Sequence, residues 1–395
     1  MAGVLRCFCE LGDLAGSGAF LRETRRHIHS HPELSYQEQS TSELVAGLLG
    51  GWGWEVVRNI GGHGVVASLH AGTGTRSIAL RADMDALPIQ EQTGQPHAST
   101  VSGVMHACGH DGHTAMLLGA AQRLAETRNF SGTVRLVFQP AEESGKDSGA
   151  ERMIADGLFE RFPCDAIFGI HNHPGMPVGT FLFGNGPFMV ACDTAKITIR
   201  GRGGHAARPH QAIDPVLVAG SLVMALQSIV ARNVDPMQPA VVTIGLLQAG
   251  TVANVIPDSA RLELSIRSFD PAVRDRLEQR IRALVTSHAE GYGAEAAIEY
   301  ERGYPVLVNS EAETAFARQV AAELVGAERV VAPFPPVTGS EDFAYFLQQK
   351  PGCFLRLGNG EASAMLHNAK YDFNDDNLTT GAAFWVRLVE RWLEA

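Results

Sequence analysis

Three short β-branched runs in the first half of the chain each lead into side chains that can bind a metal or move a proton. Asp83 and Asp85 follow Ser77–Arg81, Glu142 and Glu143 follow Val134–Phe138 across Gln139-Pro140-Ala141, and His171 and His173 follow Ala166–Ile170. A further run at Val65–Leu69 and helical stretches at Ser40–Leu49 and His113–Glu126 complete a pattern that predicts a layered α/β domain. In an open α/β sheet, ligands bind in the crevice beyond the carboxyl ends of the strands. The three polar pairs therefore mark where a site belongs.

From about Ala191 the pattern changes. It reads strand (195–200), helix (215–231), strands (240–247 and 260–268), helix (271–290) and strand (296–300), the β-α-β-β-α-β order of a ferredoxin-like unit. A helix at 312–324, a strand at 353–357 and a closing helix at 380–394 are expected to return to the first domain. The expected fold is thus an α/β chain with an inserted ferredoxin-like α+β domain: 1–188, the insertion at 189–303, and 304–395. A length of 395 residues accommodates two domains.

Charge and cysteine usage narrow the class. A formal charge of -11 has the wrong sign for holding a phosphate backbone, so nucleic acid is not an expected partner. Six scattered cysteines contain no Cys-x-x-Cys pair and fit a reducing compartment. Residues 1–20 lack the layout of a secretory signal, which makes the cytoplasm the expected location. The longest uncharged run, 215–231, falls short of the roughly 20 apolar residues of a membrane span. It opens at Asp214-Pro215 like the start of a soluble helix and reads as a buried one, with no membrane partner.

The densest chemical signal is Met105-His106-Ala107-Cys108-Gly109-His110-Asp111-Gly112-His113. Thiol and imidazole donors crowded before a helix suit borderline-soft divalent metals, and on an extended loop Cys108 and His110 would face the same way. Two other readings stand beside this one: Cys108 as a nucleophile with His106 or His113 as its base, and a metal-stabilised binding protein without turnover. Glu142 and Glu143, pointing apart at a strand end, could divide metal binding from proton transfer, or form a solvated acidic pair. His171 can be a ligand or a hydrogen-bonded core residue, with His173 competing for the same task, and His367 alone says little. In the inserted block, Gly201–His210 is glycine-rich but lacks the Lys-Ser/Thr of a phosphate loop. Asn254 and Arg267 are candidates to meet a substrate carboxylate, Arg267 through its planar fork.

Taken in order, Arg81-Ala-Asp83-Met-Asp85-Ala-Leu-Pro88, Met105–His113, Gln139-Pro-Ala-Glu142-Glu143, Gly169-Ile-His171, Gly201-x-x-x-His205-x-x-x-Pro209 and Gly339-Ser-Glu-Asp342 resemble the aminoacylase, hippurate hydrolase and auxin-conjugate hydrolase family of metal-dependent amidohydrolases. The resemblance spans about residues 20 to 390. It implies a catalytic domain holding two divalent metal ions per subunit (zinc, manganese, nickel or cobalt) and an inserted lid domain that makes a homodimer. It also implies Cys108, His110, Glu143, His171 and His367 as metal ligands, Glu142 as the proton-transferring carboxylate and Asp85 as a residue orienting a ligand. His205 would contact the substrate carbonyl. Related carboxypeptidases and aminoacylases place His-x-Asp after the early strand, where this chain has Asp83-Met84-Asp85. The implied activity is hydrolysis of the amide of a small N-acyl or N-aroyl amino acid, with a metal-activated water and Glu142 as general base. Cys7, Cys9, Cys164, Cys192 and Cys353 are read as structural.

Overall fold

The computed structural model describes residues 9–394; Cys7 lies outside them. The chain divides into two compact units, Met1–Gly186 with Val308–Pro335 and Asp342–Ala395, and Pro187–Leu307 with Pro336–Glu341.

The first unit is built on an eight-stranded sheet. Its leading strands are β1 (Glu55–Ile60), β2 (Gly64–Ala71), β3 (Ser77–Asp83), β4 (Gly132–Gln139) and β5 (Ala166–Pro174), and the sheet order is β1-β2-β4-β3-β5 followed by Gly352–Gly360, Phe181–Leu182 and Val330–Val331. β3, β4, β5 and Gly352–Gly360 run parallel to their neighbours among these four. Strands of a parallel sheet covered on both faces read as nearly continuous apolar runs. β3 and β5 do so, each with a single residue short of full burial. The two edge-side strands turn antiparallel, β1 to β2 and β2 to β4. The His110–Thr127 helix and the Asn377–Trp392 helix pack together and contribute Leu117, Leu118, Phe384 and Trp385 to the core. Because the central strands share one direction, Asp83, Gln139 and His171 come to the same end of the sheet. That is the end where the strand-end pairs predicted a site.

The second unit has the expected β-α-β-β-α-β order. Its antiparallel sheet runs Ala240–Ala249, Ser259–Ser268, Ala191–Arg200, Glu295–Arg302. Along Ala191–Arg200 every second residue is buried, the period of a sheet with one covered face. Both helices open on an Asp-Pro pair: Asp214 accepts from Val216 N–H at 2.9 Å, and Asp270 from Ala272 N–H at 2.8 Å. Such caps satisfy donors that have no partner inside the helix.

Several local expectations change. The Pro215–Asn233 helix is buried along Val218, Ala219, Leu222, Leu226 and Ile229, but Leu217 and Met224 on its other side stand 59% and 74% exposed, so it is not a buried helix all round. By length and composition it is apolar enough to cross a membrane. Pro336–Glu341 belongs with the second unit, since Val337 N–H bonds to Phe188 O at 3.0 Å and Val190 N–H to Gly339 O at 3.1 Å. In the glycine-rich stretch, Gly204–His205 pairs with Val255–Ile256 as a two-stranded ladder. The Gly18–Ser30 helix and β1 had no counterpart in the sequence pattern.

Candidate metal centre

The centre is assembled within the first unit from four chain segments. The Cys108 segment is turned by Gly109, whose φ of +94° is left-handed, and the helix begins at His110 rather than His113. The shared direction of Cys108 and His110 therefore comes from this turn, not from an extended loop. An added Cβ at Gly109 would lie 2.6 Å from Tyr371 Oη and closer still to Asn172 Oδ1, so the turn has no room for a side chain.

Glu142 and Glu143 occupy a 3-10 turn, Glu142–Ser144, behind Ala141 at φ +50°. They do not splay apart at a strand end; both carboxylates and His110 offer ligand atoms within 4.8 Å of one another. Ala141 N–H is held in place by the buried Glu38 carboxylate at 2.8 Å.

Two donor triplets share one sulfur. Cys108, His110 and His171 form one and Cys108, Glu143 and His367 the other, each with its ligand atoms within 4.8 Å. Cys108 Sγ is 3.4 Å from His171 Nε2, and His367 Nε2 is 3.1 Å from Glu143 Oε1, close enough for an ion pair but not aligned as a hydrogen bond. All five residues implied as ligands are thus brought together.

The imidazoles are oriented from behind. His110 Nδ1 donates to Asp85 O at 2.8 Å and lies 3.2 Å from Asp85 Oδ1, while His171 Nδ1 donates to Asn172 O at 2.7 Å. Each bond leaves Nε2 facing the cluster, where a cation can take its lone pair in place of a proton. His110 Nε2 is buried without a hydrogen bond, 3.6 Å from Asp83 Oδ2 and 4.0 Å from Glu142 Oε2. A buried nitrogen left unbonded among carboxylates is what a cation site requires of its ligands. Asp85 is braced in turn by Ser35 Oγ at 2.7 Å and Glu143 N–H at 2.9 Å.

Electrostatics agree with a cation. Burial and the carboxylates of Glu143, Glu142 and Asp83 push the Cys108 thiol well above its usual value, so it stays protonated unless a cation draws the proton off. A thiol in that state is a weak nucleophile, which counts against Cys108 as the attacking group. Burial opposes the charge on His110, but Asp83 and Asp85 raise it to about 10; His171, buried and beside His113, falls well below the usual imidazole value.

His113 is satisfied by protein, with Nδ1 2.6 Å from Asp83 Oδ1 and Nε2 2.7 Å from Asn172 Oδ1. His106 is buried with neither ring nitrogen bonded among the described residues. His173 turns to Arg356, 3.4 Å away, and to the Phe334 ring. Below the centre lies a network the sequence did not assign. Arg81 donates to Asp83 at 2.7 Å, Gln139 at 2.8 Å and Asp342 at 3.2 Å, and Asp342 also accepts from Ala150 N–H at 3.1 Å. Arg81, Gln139 and Asp342, which stand in three separate motif stretches, meet in this one network.

Residues 79–391 match the model of peptidase family M20/M25/M40. The chain belongs to that family. It is 42% identical to a hippurate hydrolase of Campylobacter jejuni over 385 residues, covering 98% of this chain and 99% of that one. It is 40% identical to an N-acetyl-L-cysteine deacetylase of Bacillus subtilis, covering 94% and 88%. A solved Bacillus subtilis structure described as a dinuclear metal binding peptidase from the M20 family superposes with a TM-score of 0.83 at 35% identity, covering 96% and 99%. As a member of the M20 family, this protein is a hydrolase acting on amides.

The remaining sequence-predicted residues lie in the second unit. His205 is exposed, and its Nδ1 accepts Ala207 N–H at 3.0 Å. Asn254 is exposed and uses its carbonyl to accept Ala206 N–H at 3.2 Å. Arg267 Nη1 donates to Thr338 O at 3.3 Å.

Proposed function

We propose that this M20 protein hydrolyses the amide bond of small N-acyl or N-aroyl amino acids, of the hippurate or N-acetyl-amino-acid type. The pair of donor triplets sharing Cys108, with Glu142 beside His110, carries the reading, and the names of the relatives support the substrate class.

In this reading Cys108, His110 and His171 hold one divalent ion and Cys108, Glu143 and His367 the second. When bound, such ions polarise a carbonyl and lower the pKa of water. Glu142 takes the proton of the attacking water and returns it to the departing amine. Asp85 keeps His110 Nε2 aimed at the centre through the Nδ1 bond. His205 donates to the carbonyl oxygen as it gains charge, and Asn254 and Arg267 receive the substrate carboxylate. The second unit serves as lid and as the contact of a homodimer. Support for that contact comes from the sheet edge Ala240–Ala249 and the exposed Leu217, Met224, Val241 and Leu247 beside it in the same unit. The five free cysteines among the described residues support a cytoplasmic location.

The test is release of free amino acid from a panel of N-acetyl, N-benzoyl and indoleacetyl amino acids, before and after chelation and metal restoration. Chelation abolishes release and divalent metal restores it. Activity that survives chelation but is lost on thiol alkylation would transfer the chemistry to Cys108 as nucleophile.

A further inference from the structure

Behind the centre, the guanidinium of Arg25 is fully buried between two segments that each carry a ligand. On one side, Nε donates to Asp111 Oδ2 at 2.8 Å. Asp111 follows the ligand His110 in the first turn of the helix, and its Oδ2 is also bonded to His29 Nδ1 at 2.8 Å. On the other side, Nη2 donates to Asp372 and Nη1 lies 3.3 Å from Asp375 Oδ1. These two carboxylates lie in the stretch that follows the ligand His367. His97 closes the ring, with Nε2 3.0 Å from Arg25 Nη1 and 3.2 Å from Asp372 Oδ2.

The two ends are not equally fixed. His110 sits in a helix, is held by Asp85 and is fully buried. His367 sits in a turn at φ +63° with a half-exposed side chain; its N–H bonds to Ala107 O at 2.8 Å, which ties the backbone but not the ring. Resting on the two-cation reading above, we propose that Arg25 is a positioning residue for the second cation. By gripping Asp111 with one edge and Asp372 and Asp375 with the other, it sets the His367 segment against the helix that begins at His110. Loss of that clamp releases His367 while leaving Cys108, His110 and His171 in place. Groups that position a ligand from behind typically cost about 10- to 100-fold in metal affinity when altered.

The experiment is a cobalt titration of the full chain, with bound metal per chain measured by elemental analysis and the thiolate-to-cobalt absorption band reporting Cys108. Arg25→Lys, which keeps the charge but not the planar fork, is compared with Asp372→Asn, whose partly exposed site tolerates substitution if the buried Arg25 variant does not fold. His367→Ala serves as reference. The expected result is a first cobalt bound as in the wild type, with its thiolate band, and a second weakened about 10- to 100-fold in both variants, as in His367→Ala. Wild-type binding of both ions in the folded variants overturns the proposal, and so does parallel loss of both. If the wild type takes up fewer than two ions, or His367→Ala retains both, the two-cation reading itself fails and the clamp with it.

Discussion

Cys108 Sγ lies 3.4 Å from His171 Nε2, and the same sulfur groups with Glu143 and His367. In the two-cation reading, a donor common to both triplets makes the two ion positions interdependent in a way no imidazole does. Cys108→Ala is expected to lose metal from both positions, whereas His171→Ala loses it from one. Metal content after dialysis against trace cobalt checks this. Two ions retained by Cys108→Ala would remove the sulfur from its shared role.

Glu142 is buried, with Oε2 4.0 Å from His110 Nε2, yet it is absent from both triplets that contain Cys108. Glu142→Gln keeps the shape and removes the base. Turnover of an N-acyl amino acid should fall by about a hundred- to ten-thousandfold, with metal content unchanged. Near-normal turnover in the metal-loaded variant would assign proton transfer elsewhere.

Much of this centre was legible because its parts are local. Cys108 and His110 are two residues apart at the start of a helix, and Glu142 and Glu143 are adjacent just beyond β4, a strand whose apolar pattern is plain. His367 was different: nothing around Leu366-His367-Asn368 predicts a ligand, and only resemblance supplied it. The Gly18–Ser30 helix is hidden in the apolar pattern for a physical reason. Its inward positions are Leu21, Thr24, Arg25, Ile28 and His29, a regular helical spacing in which three of five residues are polar. Apolar periodicity cannot find a face whose burial depends on ion pairs with Asp111, Asp372 and Asp375, because those partners lie far along the chain.

Gly109 separates Cys108 and His110, two donors of the proposed centre, and its left-handed φ is coupled to the close approach of Asn172 and Tyr371. Gly109→Ala combines backbone strain with overpacking and is expected to destabilise by about 2–4 kcal/mol. Denaturant unfolding measures the loss, and weaker cobalt binding should accompany it. A stability change under about 0.5 kcal/mol, the range of ordinary surface substitutions, would show that the turn can be made without glycine.

Leu217 and Met224 are seven residues apart on one side of the Pro215–Asn233 helix, both exposed. If this face joins two copies, Leu217→Glu with Met224→Glu places charge in an apolar contact and shifts sedimentation from dimer to monomer, without altering metal content. A wild-type protein that sediments only as monomer rejects the arrangement.

His29 offers a test that does not require catalysis. Its ring is fully buried against Asp111 Oδ2 at 2.8 Å and Glu91 Oε1 at 3.4 Å. Burial alone would lower its pKa, but these partners, Asp111 foremost, raise it from 6.5 to about 9. The folded protein therefore holds this proton more tightly than the unfolded chain. Stability gained from the ion pair is fully present below pH 6.5 and is lost as pH rises through 9. A rise of that size corresponds to at most about 3 kcal/mol. His29→Gln cannot gain or lose the charge, so the stability difference between wild type and variant should shrink by up to that amount between pH 6 and pH 10. Denaturant unfolding of both metal-free proteins across that range gives the curve. A difference that stays constant with pH would mean the imidazolium is not what holds Asp111, and the buried pairing around Arg25 would then rest on the guanidinium alone.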